Sequence, residues 1–325
     1  SAGFGSAAKV LANASAPSAI SAADAASFRF VAGADTTSAK LLAVKADTTT
    51  GHFELTGDKH IRTTAGSIEV AASGDVRLLS SSASTPLSSA IYVAGRLAGL
   101  AAGETFSTNY GWAQYTERGG RLSISAGGNV SSLNAAKTAA QSLTQMTPNF
   151  FFHAGAAASR VAWWTAFDSF RQGFGSFGGG NIDVSAGKDV RDMAVVSLTN
   201  AGNVTLAGGT TSLKELGGGN VDINAGGDIA GGLFVLSRGE GRLTAGGSIK
   251  EGAGAFTADG TYTSQQVIPS APLLGLMNGH WSVRAGGDLE VSHVFNPTLL
   301  TQAVTPATGT QARITAAQSG YYLTY

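Results

Sequence analysis

Five histidines, His52, His60, His153, His280 and His293, are the first side chains to test for chemistry. None pairs at the i, i+4 spacing that puts two imidazoles on one helix face, and no cysteine is present to complete a zinc set. His280 precedes a strand-like run, in a turn where a histidine is ordinarily solvated. Calcium is the next chemistry to consider, because Gly178-Gly179-Gly180-Asn181-Ile182-Asp183 and Gly217-Gly218-Gly219-Asn220-Val221-Asp222 share glycines and an aspartate with nonapeptide calcium rolls. The fourth position is Asn instead of Gly, and the copies at Gly178 and Gly217 are far from tandem. Calcium between adjacent turns therefore does not fit.

Asp183, Lys188, Asp189, Arg191 and Asp192 are the densest charged group. A polysaccharide-cleaving enzyme would need such residues on one solvent face. An acidic residue recurs at one register, at Glu69, Asp183 and Asp222. Recurrence in a repeat is the mark of an outward structural position. Gly187-Lys188-Asp189 lacks the Ser or Thr of a phosphate loop. Arg238-Gly239-Glu240 has Glu where the integrin-binding tripeptide has Asp. No catalytic, cofactor-binding or metal-binding residue is expected.

The elements that carry these residues are set by a repeat. Gly180-Asn181-Ile182-Asp183-Val184-Ser185-Ala186-Gly187-Lys188-Asp189-Val190 is echoed from Gly66, Gly120, Gly219, Gly239 and Gly279, with a partial copy from Gly202. Ile182 and Val184 alternate with Asp183 and Ser185, the period of two of a half-buried strand. Ala186 continues the inward face, the following glycine permits a tight bend, and the Asp or Asn can accept local backbone hydrogen bonds. The starts at Gly180, Gly202, Gly219, Gly239 and Gly279 cluster near multiples of a common period. The longer gaps, Gly66 to Gly120 and Gly120 to Gly180, are close to three such units each. A period of about 20 suggests a single-coil solenoid. It implies roughly 10 to 13 coils and a rod on the order of 50–60 Å.

Composition agrees. Glycine accounts for 45 of 325 residues and charged residues for only 13%. The 21 basic and 21 acidic residues cancel, so no global field would draw nucleic acid or anionic lipid. No apolar run reaches the roughly 18 residues of a membrane span, so none is expected. The chain opens Ser1-Ala2-Gly3, without initiator Met or signal pattern, and reads as a processed part or fragment of something longer.

Two stretches break the repeat. One is 80–119, with a short helix expected at 92–100. The other is 133–179, alanine-rich with Val161, Trp164, Phe167 and Phe170 at helical spacing. The expected organisation is degenerate coils over 1–65, coils with a loop insertion at 80–119 over 66–132, a helical insertion over 133–179, regular repeats over 180–290 and an irregular segment over 291–325. Within 1–65, Phe28 to Asp35, Lys40 to Asp47 and 52–57 resemble degenerate coils. The fold class is all-β, a right-handed parallel β-helix (solenoid) with a mainly α-helical insertion. If any segment makes a partner contact, the aromatic residues Phe151, Phe152, Trp163, Trp164, Phe167 and Phe170 are the candidates.

The phrases "GGGNIDVSAGKDV", "GGGNVDINAGGDI" and "GGRLSISAGGNV" resemble repeats of filamentous haemagglutinin and related large exoproteins of two-partner secretion. The resemblance covers about 66–290, and such glycine-rich phrases also occur in other secreted β-helices. It implies export through an outer-membrane transporter to the bacterial cell surface or medium, and adhesion or shaft formation without enzymatic activity. Host cells, glycans or further copies of the chain are the implied partners, with no cofactor and no nucleic acid. A self-assembling extracellular filament subunit is the alternative, and a glycan-active β-helix enzyme a remoter one.

Overall fold

The computed structural model describes residues 4–5, 26–57, 59–80, 89–106, 113–133, 150–154, 162–167, 170–253, 255–257, 267–269 and 271–299. Their architecture is an all-β parallel solenoid. One coil shows the plan. Val221–Ala225 lies in a first sheet, Gly226 to Asp228 turn the chain, and Ile229–Ala230 lies in a second sheet. Gly231 and Gly232, both at positive φ, make the next corner, and Leu233 to Leu236 lie in a third sheet. The strand Leu233–Ala245 then runs directly into the first sheet of the next coil, where Gly241 pairs with Val221.

Seven coils stack in this way among the described residues. In the first sheet Phe28–Ala32, Ile68–Ala72, Leu122–Ala126, Ile182–Ala186, Val221–Ala225 and the later halves of Leu233–Ala245 and Leu273–Ala285 pair in parallel register. Phe30, Val70, Ile124, Val184, Ile223, Leu243 and Val283 therefore form one inward ladder, and Ala32 through Ala285 form an alanine ladder beside it. Val76, Val130, Val190, Ile229 and Ile249 form the matching ladder of the second sheet. These side chains make one continuous core. Six inter-strand steps give an axial length of about 29 Å.

The coil count is lower than the spacing suggested. Ile68 pairs directly with Leu122, and Leu122 with Ile182, so each of the two long gaps is a single coil carrying an excursion. The partial copy from Gly202 is no coil at all. It lies in an antiparallel hairpin, Thr199–Thr205 with Thr211–Gly217, that leaves the solenoid after the third sheet. Lys40 to Asp47 is part of a loop closed by an antiparallel bridge between Ala34 and Val44. Phe28–Ala32, Phe53–Thr56 and His60–Thr63 together make just the first coil.

Turn chemistry holds the coils in register. Nδ1 of His52 accepts the Asp75 amide at 2.9 Å, and Oδ1 of Asp75 accepts the Asn129 amide at 2.6 Å. The series continues from Asn129 to Asp189, Asp189 to Asp228, Asp228 to Ser248 and Ser248 to Asp288, at 2.7–3.2 Å. Each side chain thus satisfies an amide of the next coil. The second oxygen of the aspartates meets a cation: Arg77 on Asp75, Arg191 on Asp189, Lys250 on Asp228. Burial pushes the Asp75 carboxyl up, but the Asn129 amide and the Arg77 guanidinium outweigh it and hold the group below its ordinary range. Replacing Asp189 with Ala should cost about 1–2 kcal/mol in urea unfolding, whereas Asn, which keeps the acceptor, should cost less than about 1 kcal/mol.

The third sheet is buried on both faces, which explains why its strands do not alternate. Ala194–Ser197 is AVVS and the third-sheet part of Leu233–Ala245 is LFVL. Ile61, Ile91, Phe174, Val195, Phe234 and Leu274 face the solenoid core, while Tyr92, Val196 and Val235 face a second cluster outside it. A covering lobe supplies the other half of that cluster. The expected helical insertion is not found there: Phe151–Ala154 and Ala162–Thr165 form an antiparallel hairpin, and Trp163 pairs with Ala201 of the neighbouring hairpin. Aromatic residues with high strand propensity, packed on a flat sheet, override the helical spacing of Trp164, Phe167 and Phe170. The alanine-rich part at 134–149 lies outside the described residues. The short helix expected at 92–100 is also replaced, by strands Ala90–Val93 and Arg96–Leu97.

Candidate functional site

The six aromatic residues expected at a contact surface are all internal. Phe151, Trp163, Phe167 and Phe170 pack against Tyr92, Phe177, Val196 and Val235 of the solenoid, between 0 and 5% exposed. Phe152 and Trp164 point the other way, into a small cluster with Ala113 and Ala166. The rings meet edge to face or stacked, with Phe170 and Phe177 centroids 4.8 Å apart and Phe152 and Trp164 6.2 Å apart. Trp163 donates its Nε1 proton to Thr199 at 3.1 Å. In this structure these residues are buried and form a core that fastens the lobe.

Asn200, which the repeat pattern passes over, is the polar fastener of the same lobe. It is 1% exposed. Its Oδ1 accepts the Thr116 amide at 2.9 Å, and its Nδ2 donates to the carbonyls of Thr116 and Phe177 at 2.8 and 3.1 Å. One side chain thereby joins two excursions to the third sheet.

The outward face of the first sheet is the remaining candidate. Asp183 and Asp222 are register neighbours, as the repeat predicts, and they line a groove of about 130 Å³ with Asn181, Asn220, Glu240 and Arg242. A pocket for a small molecule usually measures ~300–1,000 Å³, so this groove holds little more than a few waters. The carboxylates have cationic partners: Asp183 meets Arg121 at 2.7 Å, and Arg242 lies 3.9 Å from Asp222 and 3.4 Å from Glu240. Asn181 and Asn220 are also occupied, since their Oδ1 atoms accept the amides of Asn220 and Glu240 at 3.0 Å. The charges and amides of this face are paired with one another within coils and across neighbouring coils. Lys188 and Asp192 sit elsewhere, Lys188 in the Gly187 to Asp189 turn and Asp192 buried at the corner beyond Val190, so the charged group read from sequence does not converge.

His60 is a separate feature. It is 2% exposed, and neither ring nitrogen meets a hydrogen-bonding group among the described residues. Burial first, then the positive charges of Arg171 and Arg62, push its pKa down to about 4. The folded protein keeps the ring neutral until about pH 4, whereas an unfolded chain protonates it below about 6.5. Its contribution to stability is complete above about pH 6.5 and is lost as the pH falls from there towards about 4. At pH 5 the loss should be about 2 kcal/mol. His60→Leu should flatten that part of the profile in unfolding measured between pH 7 and pH 5; an unchanged slope would refute the assignment.

Among the described residues no group of three or more His, Asp or Glu is placed to hold a metal ion, and no helix is long and apolar enough to cross a membrane. No family model, curated protein or solved structure matches the chain.

Proposed function

We propose that this chain is a structural segment of a secreted or bacterial cell-surface exoprotein, a right-handed β-helical shaft that mediates adhesion or holds an adhesive part away from the cell. The observation that carries this reading is the unbroken run of coil-to-coil acceptors from His52 to Ser248. At this corner the side chains of His52, Asp75, Asn129, Asp189, Asp228 and Ser248 are spent on joining neighbouring coils. Parallel strand crossovers are right-handed in about 98% of cases, which supports that hand here. The likeness of the repeats to filamentous haemagglutinin supports export by an outer-membrane transporter, with host cells, glycans or further copies as partners.

Two measurements test this. Fused behind a two-partner secretion domain and co-expressed with the cognate transporter, the segment should reach the medium folded. The isolated segment should then be retained on at least one of cultured cells, a glycan array or an abiotic surface. Failure in both would overturn the proposal. Release of reducing sugar from a polysaccharide panel would replace it with an enzymatic one.

A further inference from the structure

His60 stands where the covering lobe meets the first two coils. It opens the third-sheet strand His60–Thr63, which pairs in parallel with Ala90–Val93 of the second coil. Ile61 faces the solenoid core, so the imidazole points to the other side, edge-on to the Tyr92 ring with centroids 6.2 Å apart. Phe167, Phe170 and Phe177 pack on the same tyrosine, at 6.4, 5.8 and 5.6 Å. The lobe thus covers the immediate neighbour of a buried imidazole whose nitrogens meet no hydrogen-bonding group among the described residues.

A neutral ring is tolerated in such a place, but a charged one is not. Arg62 lies two residues along the same strand, and Arg171 follows Phe170 in the covering segment; both repel a proton on His60. Tyr92 is the titratable group that the second coil presents to it, and Phe4–Gly5, paired on its other edge, carries none. No carboxylate offsets these charges among the described residues. An imidazolium here meets two like charges and no acceptor, so only movement relieves it.

The cover is more weakly laced than the coils. Ala194–Ser197 is joined to the next coil over four register pairs. The lobe hairpin meets its neighbouring hairpin at one register pair among the described residues, Trp163 with Ala201, and otherwise packs by side chains. The covering segment enters the third sheet at Gly173, whose φ of 93° marks a pivot between cover and strand. Elements held by few backbone bonds open at lower free energy than the stack beneath them.

We propose that His60 is an acid-operated latch: when its ring takes up a proton, the segment carrying Phe167, Phe170 and Arg171 lifts from the third sheet and uncovers an aromatic face while the coils stay stacked. Lifting admits water to the imidazolium and takes Arg171 away from it. The covered ring stays neutral to about pH 4, whereas a wet one titrates at about 6.5. The closed state is therefore favoured in full above about pH 6.5 and loses ground as the pH falls towards about 4. The open population should rise about 20-fold from pH 7 to pH 5.

The chain has no cysteine, so single thiols report the opening. Val196→Cys and Val195→Cys are adjacent and fully buried, the first under the lobe and the second in the solenoid core. Their reaction rates with dithiodipyridine are each divided by that of a free thiol at the same pH. The Val196→Cys rate should rise about 20-fold from pH 7 to pH 5, with the slope of one proton, about sevenfold from pH 6 to pH 5. Val195→Cys, which waits for the coils to separate, should be at least about tenfold slower at pH 5. His60→Leu and His60→Gln should each abolish the rise. Equal rates at the two thiols would mean that the whole stack unfolds. A flat Val196→Cys profile, a two-proton slope, or a rise that survives in both His60 variants would equally overturn the proposal.

Discussion

Trp163→Ala should lower the unfolding free energy by about 4 kcal/mol, as expected when a fully buried aromatic residue is truncated and its neighbours cannot close the gap. Trp163 is 3% exposed and packs between the lobe and the third sheet. It also donates to Thr199, so truncation leaves that hydroxyl to find another partner. Urea unfolding is the readout. A surface anchor for a partner would behave in the opposite way, losing binding while leaving the midpoint nearly unchanged. Loss of less than about 1 kcal/mol would return these aromatics to the role of a contact surface.

Gly226→Ala should cost about 3 kcal/mol, a large effect for one methyl group. The added Cβ would lie 2.4 Å from the carbonyl oxygen of Gly187 in the preceding coil. That oxygen belongs to a backbone held by hydrogen bonds on both sides, so no side chain can swing away. The coils must separate locally, weakening the Gly226 amide bond to Ala186. Gly208→Ala is the internal comparison. It lies at the hairpin turn with nothing within 4 Å of its would-be Cβ, and should change stability by less than about 0.5 kcal/mol. Similar losses at the two positions would mean that the glycine stack does not set the coil spacing.

The strands of the first sheet are legible in the sequence because alternation is a local signal. Ile182, Asp183, Val184, Ser185 and Ala186 state their own inward and outward faces, and the burial of Ile182–Ala186 follows that order. The role of Asp189 in the turn is also readable, though its acceptor reaches the next coil and not its own loop. The coil count is not readable. The stretch between Gly66 and Gly120 is long enough for three coils or for one coil with an excursion; only the pairing of Ile68 with Leu122 decides.

The covering lobe escapes the sequence for a related reason. Trp164, Phe167 and Phe170 keep a helical spacing, but the surface awaiting the lobe is the flat outward side of the third sheet. The signal that points to this lies in the other partner. AVV at 194–196 and LFVL at 233–236 run without a polar break, the pattern of strands buried on both sides. Something has to cover them, and the aromatic segment is the apolar material at hand.

Each full recurrence of the phrase is the next coil of the stack, whatever length of chain lies between. Nitroxide labels at Glu69→Cys and Ser282→Cys test this most directly, both on the outward side of the first sheet. Register passes from Glu69 through Ser123, Asp183, Asp222 and Arg242 to Ser282, five steps. Pulsed electron resonance should give a backbone separation of about 24 Å. A separation of about 50 Å, the value for a coil every ~20 residues, would contradict direct stacking of the copies.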